Sequence, residues 1–150
     1  MDRKIQSLGA PMERTFVMLK PDAVKKGVIG NVTSRLEGKG LKIVGMKMLQ
    51  LNEKICREHY AHHAEKPFFE GLVKFMCSTP VVCMVLEGED AVETVRALAG
   101  PTDSKKAPKG TIRGDFGTDV QANIIHASDS RETAESEIKR FFKKNEIFDY

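Results

Sequence analysis

Val81-Val82-Cys83-Met84-Val85-Leu86 is an unbroken apolar run rich in β-branched residues. A strand with one wet face alternates apolar and polar side chains; a run without alternation suits a strand covered on both faces. The segment therefore reads as a central strand, and the chain on either side must supply its cover. On its C-terminal side, Asp90 opens a helix with Val92, Val95 and Leu98 on one side, ended by Gly100-Pro101. On its N-terminal side, Pro67 begins a helix carrying Phe68, Leu72, Phe75 and Met76, and Asn52 caps a short helix through Tyr60. Residues Leu41 to Leu51 alternate in part and read as a second strand.

Further out, Thr15-Phe16-Val17-Met18-Leu19 is a buried strand ending at Lys20-Pro21. Val28, Ile29, Val32 and Leu36 recur at helical spacing until Gly38 and Gly40 stop them. Residues 102–120 form a long loop rich in Lys, Pro, Gly and Thr, and a loop of that length inside a compact domain is functional or disordered. Val120 to His126 reads as the last strand. Asp129-x-x-Glu132 resembles a capping box for a final helix whose core face is Ala134, Ile138, Phe141 and Phe142. One α+β domain with helices packed on a sheet follows, spanning residues 13–150. Residues 1–12, set apart by Gly9-Ala10-Pro11, read as a flexible N-terminal extension.

Composition narrows the setting. The 150 residues, 41% of them hydrophobic, suit one globular domain. A formal net charge of only +3 gives little support for nucleic-acid binding, and no apolar run approaches a membrane span. Cys56, Cys77 and Cys83 are odd in number and scattered, as expected of a reduced cytoplasmic protein.

The chemistry concentrates in Asn123-Ile124-Ile125-His126-Ala127-Ser128-Asp129-Ser130. Two apolar β-branched residues deliver an imidazole to a strand-to-helix junction, where free backbone N–H groups favour phosphate. An imidazole is largely neutral near pH 7, so one placed there attacks phosphorus without a separate general base. Lys20, Arg96 and Arg113 stand at or just beyond element ends, where they can converge on one cleft. Arginine offers a planar fork for phosphate oxygens and lysine a compact charge. Taken singly, a lysine or arginine in a chain with 30% charged residues is most often a solvated surface group. Two other classes compete: a metal-binding protein using Cys56, His59, His62 and His63 on a helix face, and a non-catalytic RNA-binding sheet. The first lacks ligands from two separated segments; the second lacks an aromatic recognition motif.

Glu13-Arg14-Thr15-Phe16 through Lys20-Pro21-Asp22, Pro67-Phe68-Phe69, Gly110-Thr111-Ile112-Arg113-Gly114-Asp115-Phe116 and the His126 motif, in that order, strongly resemble nucleoside diphosphate kinases from about Met12 to Tyr150. The resemblance implies a ferredoxin-like βαββαβ sandwich with a four-stranded antiparallel sheet covered by helices. It also implies transfer of the γ-phosphoryl group of a nucleoside triphosphate, typically ATP, to a nucleoside diphosphate through a phosphohistidine. Matched by position, His126 is the nucleophile and Glu137 and Ser128 orient it. Lys20, Tyr60, Arg96, Thr102 and Arg113 match phosphate positions, and Lys20 and Asn123 also match sugar contacts. Phe68 matches the base-stacking residue, with Leu72 and Val120 lining its slot. The implied cofactor is Mg²⁺, carried by nucleotide phosphates without a firm protein ligand, Asp129 reaching it through water. The implied assembly is a homo-oligomer, a hexamer ahead of a tetramer.

Three positions depart from the family pattern: Ala127 replaces a glycine, Lys66 an arginine, and Ser104 a proline common in that loop. Proline stiffens the unfolded chain and the turn, so Ser104 bears on loop stability and assembly.

Overall fold

The computed structural model describes residues 12–150. Strands β1 (Met12–Leu19), β2 (Lys42–Leu49), β3 (Val81–Glu89) and β4 (Ile125–Ala127) form one sheet in the order β2-β3-β1-β4, antiparallel at every pairing. Helices are α1 (Pro21–Lys26), α2 (Ile29–Gly38), α3 (Glu53–His59), α4 (Phe69–Met76), α5 (Ala91–Ala99), α6 (Ile112–Phe116) and α7 (Arg131–Phe141). This is the ferredoxin-like pattern, with α3 and α4 inserted between β2 and β3. No helix among the described residues is long and apolar enough to cross a membrane.

The period of two along a strand sends alternate side chains to opposite faces. Val17, Leu19, Val82, Met84 and Leu86 pack on one face against Ala23, Val32, Leu36 and Val95. Phe16, Met18, Cys83 and Val85 pack on the other against Cys56, Leu72, Val73, Met76 and Phe141. The apolar run of β3 thus lacks alternation because helices cover both its faces. Burial of each large side chain contributes about 1.5–3 kcal/mol, and β1 and β3 supply Phe16, Met18, Leu19, Met84 and Leu86 among the fully buried ones.

Several local expectations change. An unforeseen helix, α1, follows β1 directly: Pro21 supplies a preset φ at its start, and Gly27 ends it in the left-handed region at φ 71°. Six residues are too few to show periodicity. The last strand is Ile125–Ala127, not 120–126. Asp119 turns the chain before it, accepting from the backbone of Gln121 and Ala122, and Ile124 takes φ 72°. The final helix is capped by Ser130, whose hydroxyl accepts from Thr133 N, while Asp129 is engaged with Arg96. Asp90 gives α5 no side-chain cap; Glu13 reaches across from β1 to accept from Val92 N at 3.0 Å. The helix expected from Pro67 starts at Phe69. The 102–120 loop is ordered by a turn of 3₁₀ helix at Ser104–Lys106 and by α6. Of the expected N-terminal extension, Met12 is the first residue of β1, paired with Glu89, and residues 1–11 lie outside the described residues.

Candidate functional site

The ends of β1 and β4, the α3–α4 hairpin, α5 and the 100–123 segment enclose a cleft of about 510 Å³. His126 sits on its floor. β4 pairs Met18 with His126 and Leu19 with Ile125, so the imidazole projects next to the C-terminal end of β1. Its Nε2 lies 2.8 Å from Oε2 of Glu137 on α7, and Oε1 of that carboxylate accepts the Ser128 hydroxyl at 2.5 Å. Burial works against the Glu137 charge, but the bonds from His126 and Ser128 outweigh it and hold its pKa below the usual carboxylate value. A carboxylate only accepts, so Nε2 carries the hydrogen and Nδ1 keeps a free lone pair.

Lys20 caps β1 and is buried. Its ammonium donates to Gln121 O at 2.6 Å and Asn123 Oδ1 at 2.8 Å. Burial lowers its pKa to about 8; Asp22 opposes this shift and Arg113 adds to it. Arg113, on α6, donates to the carbonyls of Gly100, Asn123 and Ile125. Burial, then the charge of Arg96, lowers its pKa to about 10. Burial thus disfavours the charge of two cations that share one cleft. Arg96 reaches in from α5 and is paired with Asp129 at 2.8 Å. Lys20, Arg96 and Arg113, separate in sequence, thus line the same cleft.

The remaining named positions also line it: Tyr60, Phe68, Leu72, Thr102, Val120 and Asn123. Phe68 and Val120 are large apolar residues left 50% and 60% exposed, and both line the cleft. Leu72 is buried in the α3–α4 core beneath them. Burial pushes the Tyr60 hydroxyl pKa up, keeping it a neutral donor. Asn123 donates to Thr102 O and accepts from Lys20, tying three of these positions together.

Two contributors escaped the sequence reading. Asp22 accepts from Ile124 N at 2.9 Å and so anchors the left-handed residue just before β4. It belongs to the Lys20-Pro21-Asp22 match, the one signal pointing to it. His59 was expected on a helix face with Cys56 and His63, but the structure separates them: Cys56 is in the core, His63 lines the cleft, and His59 packs behind His126. Among the described residues, the grouping of three potential metal-binding side chains is instead His59, His126 and Glu137.

The nucleoside diphosphate kinase family model matches residues 13–147. A nucleoside diphosphate kinase of Pyrococcus horikoshii is 57% identical over 141 residues, covering 92% of this chain and 90% of that one. That of Archaeoglobus fulgidus is 55% identical over 139 residues, covering 93% and 92%. Among solved structures, the Aquifex aeolicus nucleoside diphosphate kinase superposes with a TM-score of 0.89 at 46% identity, covering 92% of this chain and 100% of that one. The Halobacterium salinarum enzyme, solved in complex with CDP, gives 0.91 at 51% identity and 93% coverage of each chain. Sequence and fold agree from the first strand to the turn beyond the last helix, and the chain belongs to the nucleoside diphosphate kinase family.

Proposed function

We propose that the protein moves the γ-phosphoryl group of a nucleoside triphosphate, typically ATP, to a nucleoside diphosphate by a ping-pong reaction through Nδ1 of His126. The observation carrying this reading is the commitment of Nε2 to Glu137, which leaves Nδ1 as the lone pair beneath converging cations. In the first half-reaction Nδ1 forms a bond to Pγ as the Pγ–O bond to the β-phosphate breaks, and the nucleoside diphosphate leaves. The imidazole ring then carries positive charge, which the Glu137 carboxylate offsets without taking the proton. A terminal oxygen of the incoming diphosphate attacks the same phosphorus and frees Nδ1. Charge in such a transition state spreads over the equatorial oxygens, so placed cations and donors supply most of the stabilisation.

Tyr60, Arg96, Thr102 and Arg113 would bind phosphates, and Lys20 and Asn123 the sugar hydroxyls and adjoining phosphates. Phe68 would stack on the base in a slot lined by Leu72 and Val120. Stacking is tolerant of base identity and worth ~1–3 kcal/mol, which supports broad nucleotide use. The donor set fits Mg²⁺ arriving with the nucleotide: the cleft offers cations and one exposed carboxylate, Asp129, already paired with Arg96. When bound, Mg²⁺ would neutralise charge on the phosphates, with Asp129 reaching it through water. Edge strand β2 leaves Met46 and Met48 exposed, which supports a homo-oligomer; the assembly proposed is a hexamer ahead of a tetramer, on the family resemblance alone. Three free cysteines support a cytoplasmic setting.

The test is incubation with γ-labelled ATP, which should give an acid-labile, base-stable phosphoprotein whose label moves to added GDP or UDP. Transfer at a normal rate by His126→Ala would overturn the reading.

A further inference from the structure

Behind His126 lies a second imidazole that the phosphoryl-transfer scheme does not use. His59 ends α3 with its side chain only 1% exposed, and its ring meets that of His126 edge-on at 4.9 Å between centroids. Its Nδ1 lies 2.9 Å from Nη1 of Arg140 on α7. Its Nε2 is buried, has no hydrogen-bond partner, and lies 3.9 Å from Oε2 of Glu137. A guanidinium can only donate. Nδ1 must therefore accept, and a neutral His59 carries its hydrogen on Nε2, the side facing Glu137.

We propose that Arg140 is a positioning residue of this site, acting through His59: it selects the tautomer that aims a buried N–H at the carboxylate holding His126. This rests on the reading of His126 as the phosphate carrier. The opposite tautomer would turn a lone pair toward Oε2, setting two acceptors against each other in a low-dielectric pocket. Glu137 would then lose part of its support when the phosphorylated ring becomes cationic. Burial, reinforced by the nearby His126 and opposed by Glu137, lowers the His59 pKa to about 3, so the ring stays neutral. Arg140 is held from its far side by Glu58, 3.6 Å from Nε. The same tautomer argues against a metal among His59, His126 and Glu137, since Nε2 then offers a proton where a metal needs a lone pair.

The direct measurement is a long-range proton–nitrogen NMR correlation of the histidine rings in the full-length, nitrogen-15-labelled protein. Wild type should show His59 with an unprotonated Nδ1 and a protonated Nε2. Arg140→Met keeps an apolar stem and removes the donor; it should yield a tautomer mixture. One hydrogen bond is worth about 1 kcal/mol net, so single-turnover phosphorylation by labelled ATP should slow roughly five- to tenfold, with nucleotide affinity unchanged. A wild-type His59 protonated on Nδ1 overturns the proposal, whether or not the variant folds. So does an Arg140→Met protein that keeps the wild-type tautomer or the wild-type rate. Absence of label on His126 in wild type would instead remove the phosphate-carrier reading, on which the tautomer measurement does not depend.

Discussion

Glu137 holds His126 and Ser128 at once: Oε2 stands 2.8 Å from the imidazole Nε2, and Oε1 accepts the serine hydroxyl at 2.5 Å. Both carboxylate oxygens are occupied, so the group is fixed in orientation and the imidazole with it. Glu137→Gln keeps the shape and removes the charge that offsets a cationic phosphohistidine. Loss of a charge-assisted bond costs about 1.5–3 kcal/mol, so phosphorylation should slow roughly ten- to hundredfold with nucleotide affinity little changed. Rapid-quench kinetics measures the rate, and phosphorus NMR of the denatured wild-type phosphoprotein identifies the modified nitrogen. An Nε2-phosphohistidine would contradict the geometry.

Lys20 gives a pH limb with opposite effects on binding and stability. Its folded pKa of about 8 lies below the ordinary 10.5. As pH rises through 8 the empty site loses this charge, so nucleotide KM should climb. Between 8 and 10.5 the unfolded chain holds a proton the folded chain has released, so this residue's contribution to stability rises with pH in the same window. Lys20→Arg should flatten the KM limb. A limb unchanged in the variant would assign it to another group.

Strong periodicity and long apolar runs made β1, β3, α2, α5 and α7 legible, because burial on a fixed face is what those patterns record. The short α1 was not, since six residues cannot show periodicity, nor was the three-residue β4, whose extent depends on partners far along the chain. Ile124 shows why: a β-branched residue next to Ile125 reads as strand, yet Asp22, 102 positions away, holds it at φ 72°. The candidate site was legible through ordered motif matches more than through spacing. Charge alone could not tell Lys20 and Arg113 from solvated surface groups. His59 was invisible as a partner of His126 because helix-face arithmetic cannot show what another helix, α7, brings up behind it.

His59 should make the protein acid-sensitive. Its folded pKa of about 3 lies below the ordinary 6.5. Between those values the unfolded chain binds a proton that the folded chain refuses, so stability falls as pH drops through the window. The loss should reach on the order of a few kcal/mol near pH 4. Glu137, also held below its ordinary value, adds to the fall once pH drops below the usual carboxylate range. Urea midpoints at pH 7 and 4.5 should separate strongly for wild type and less for His59→Gln. Equal separations would mean that His59 does not control the acid limb.

Ser104 is the departure whose repair the structure invites. It is the first residue of the 3₁₀ turn Ser104–Lys106, where a missing N–H costs least, and its own N–H makes only a long 3.4 Å bond to Asp119 O. Its hydroxyl is buried without a partner. The preceding Asp103 is already extended at φ −81° and ψ 110°, the conformation a following proline imposes. Asp103 caps the turn through Lys105 N, which a substitution at 104 leaves alone. Ser104→Pro should therefore stabilise the chain by about 1 kcal/mol, chiefly by restricting the unfolded state. Calorimetry should show a rise in Tm of roughly 3 °C with transfer activity unchanged. A lower Tm would mean that the Asp119 bond, long as it is, outweighs both the orphaned hydroxyl and the entropy of the loop.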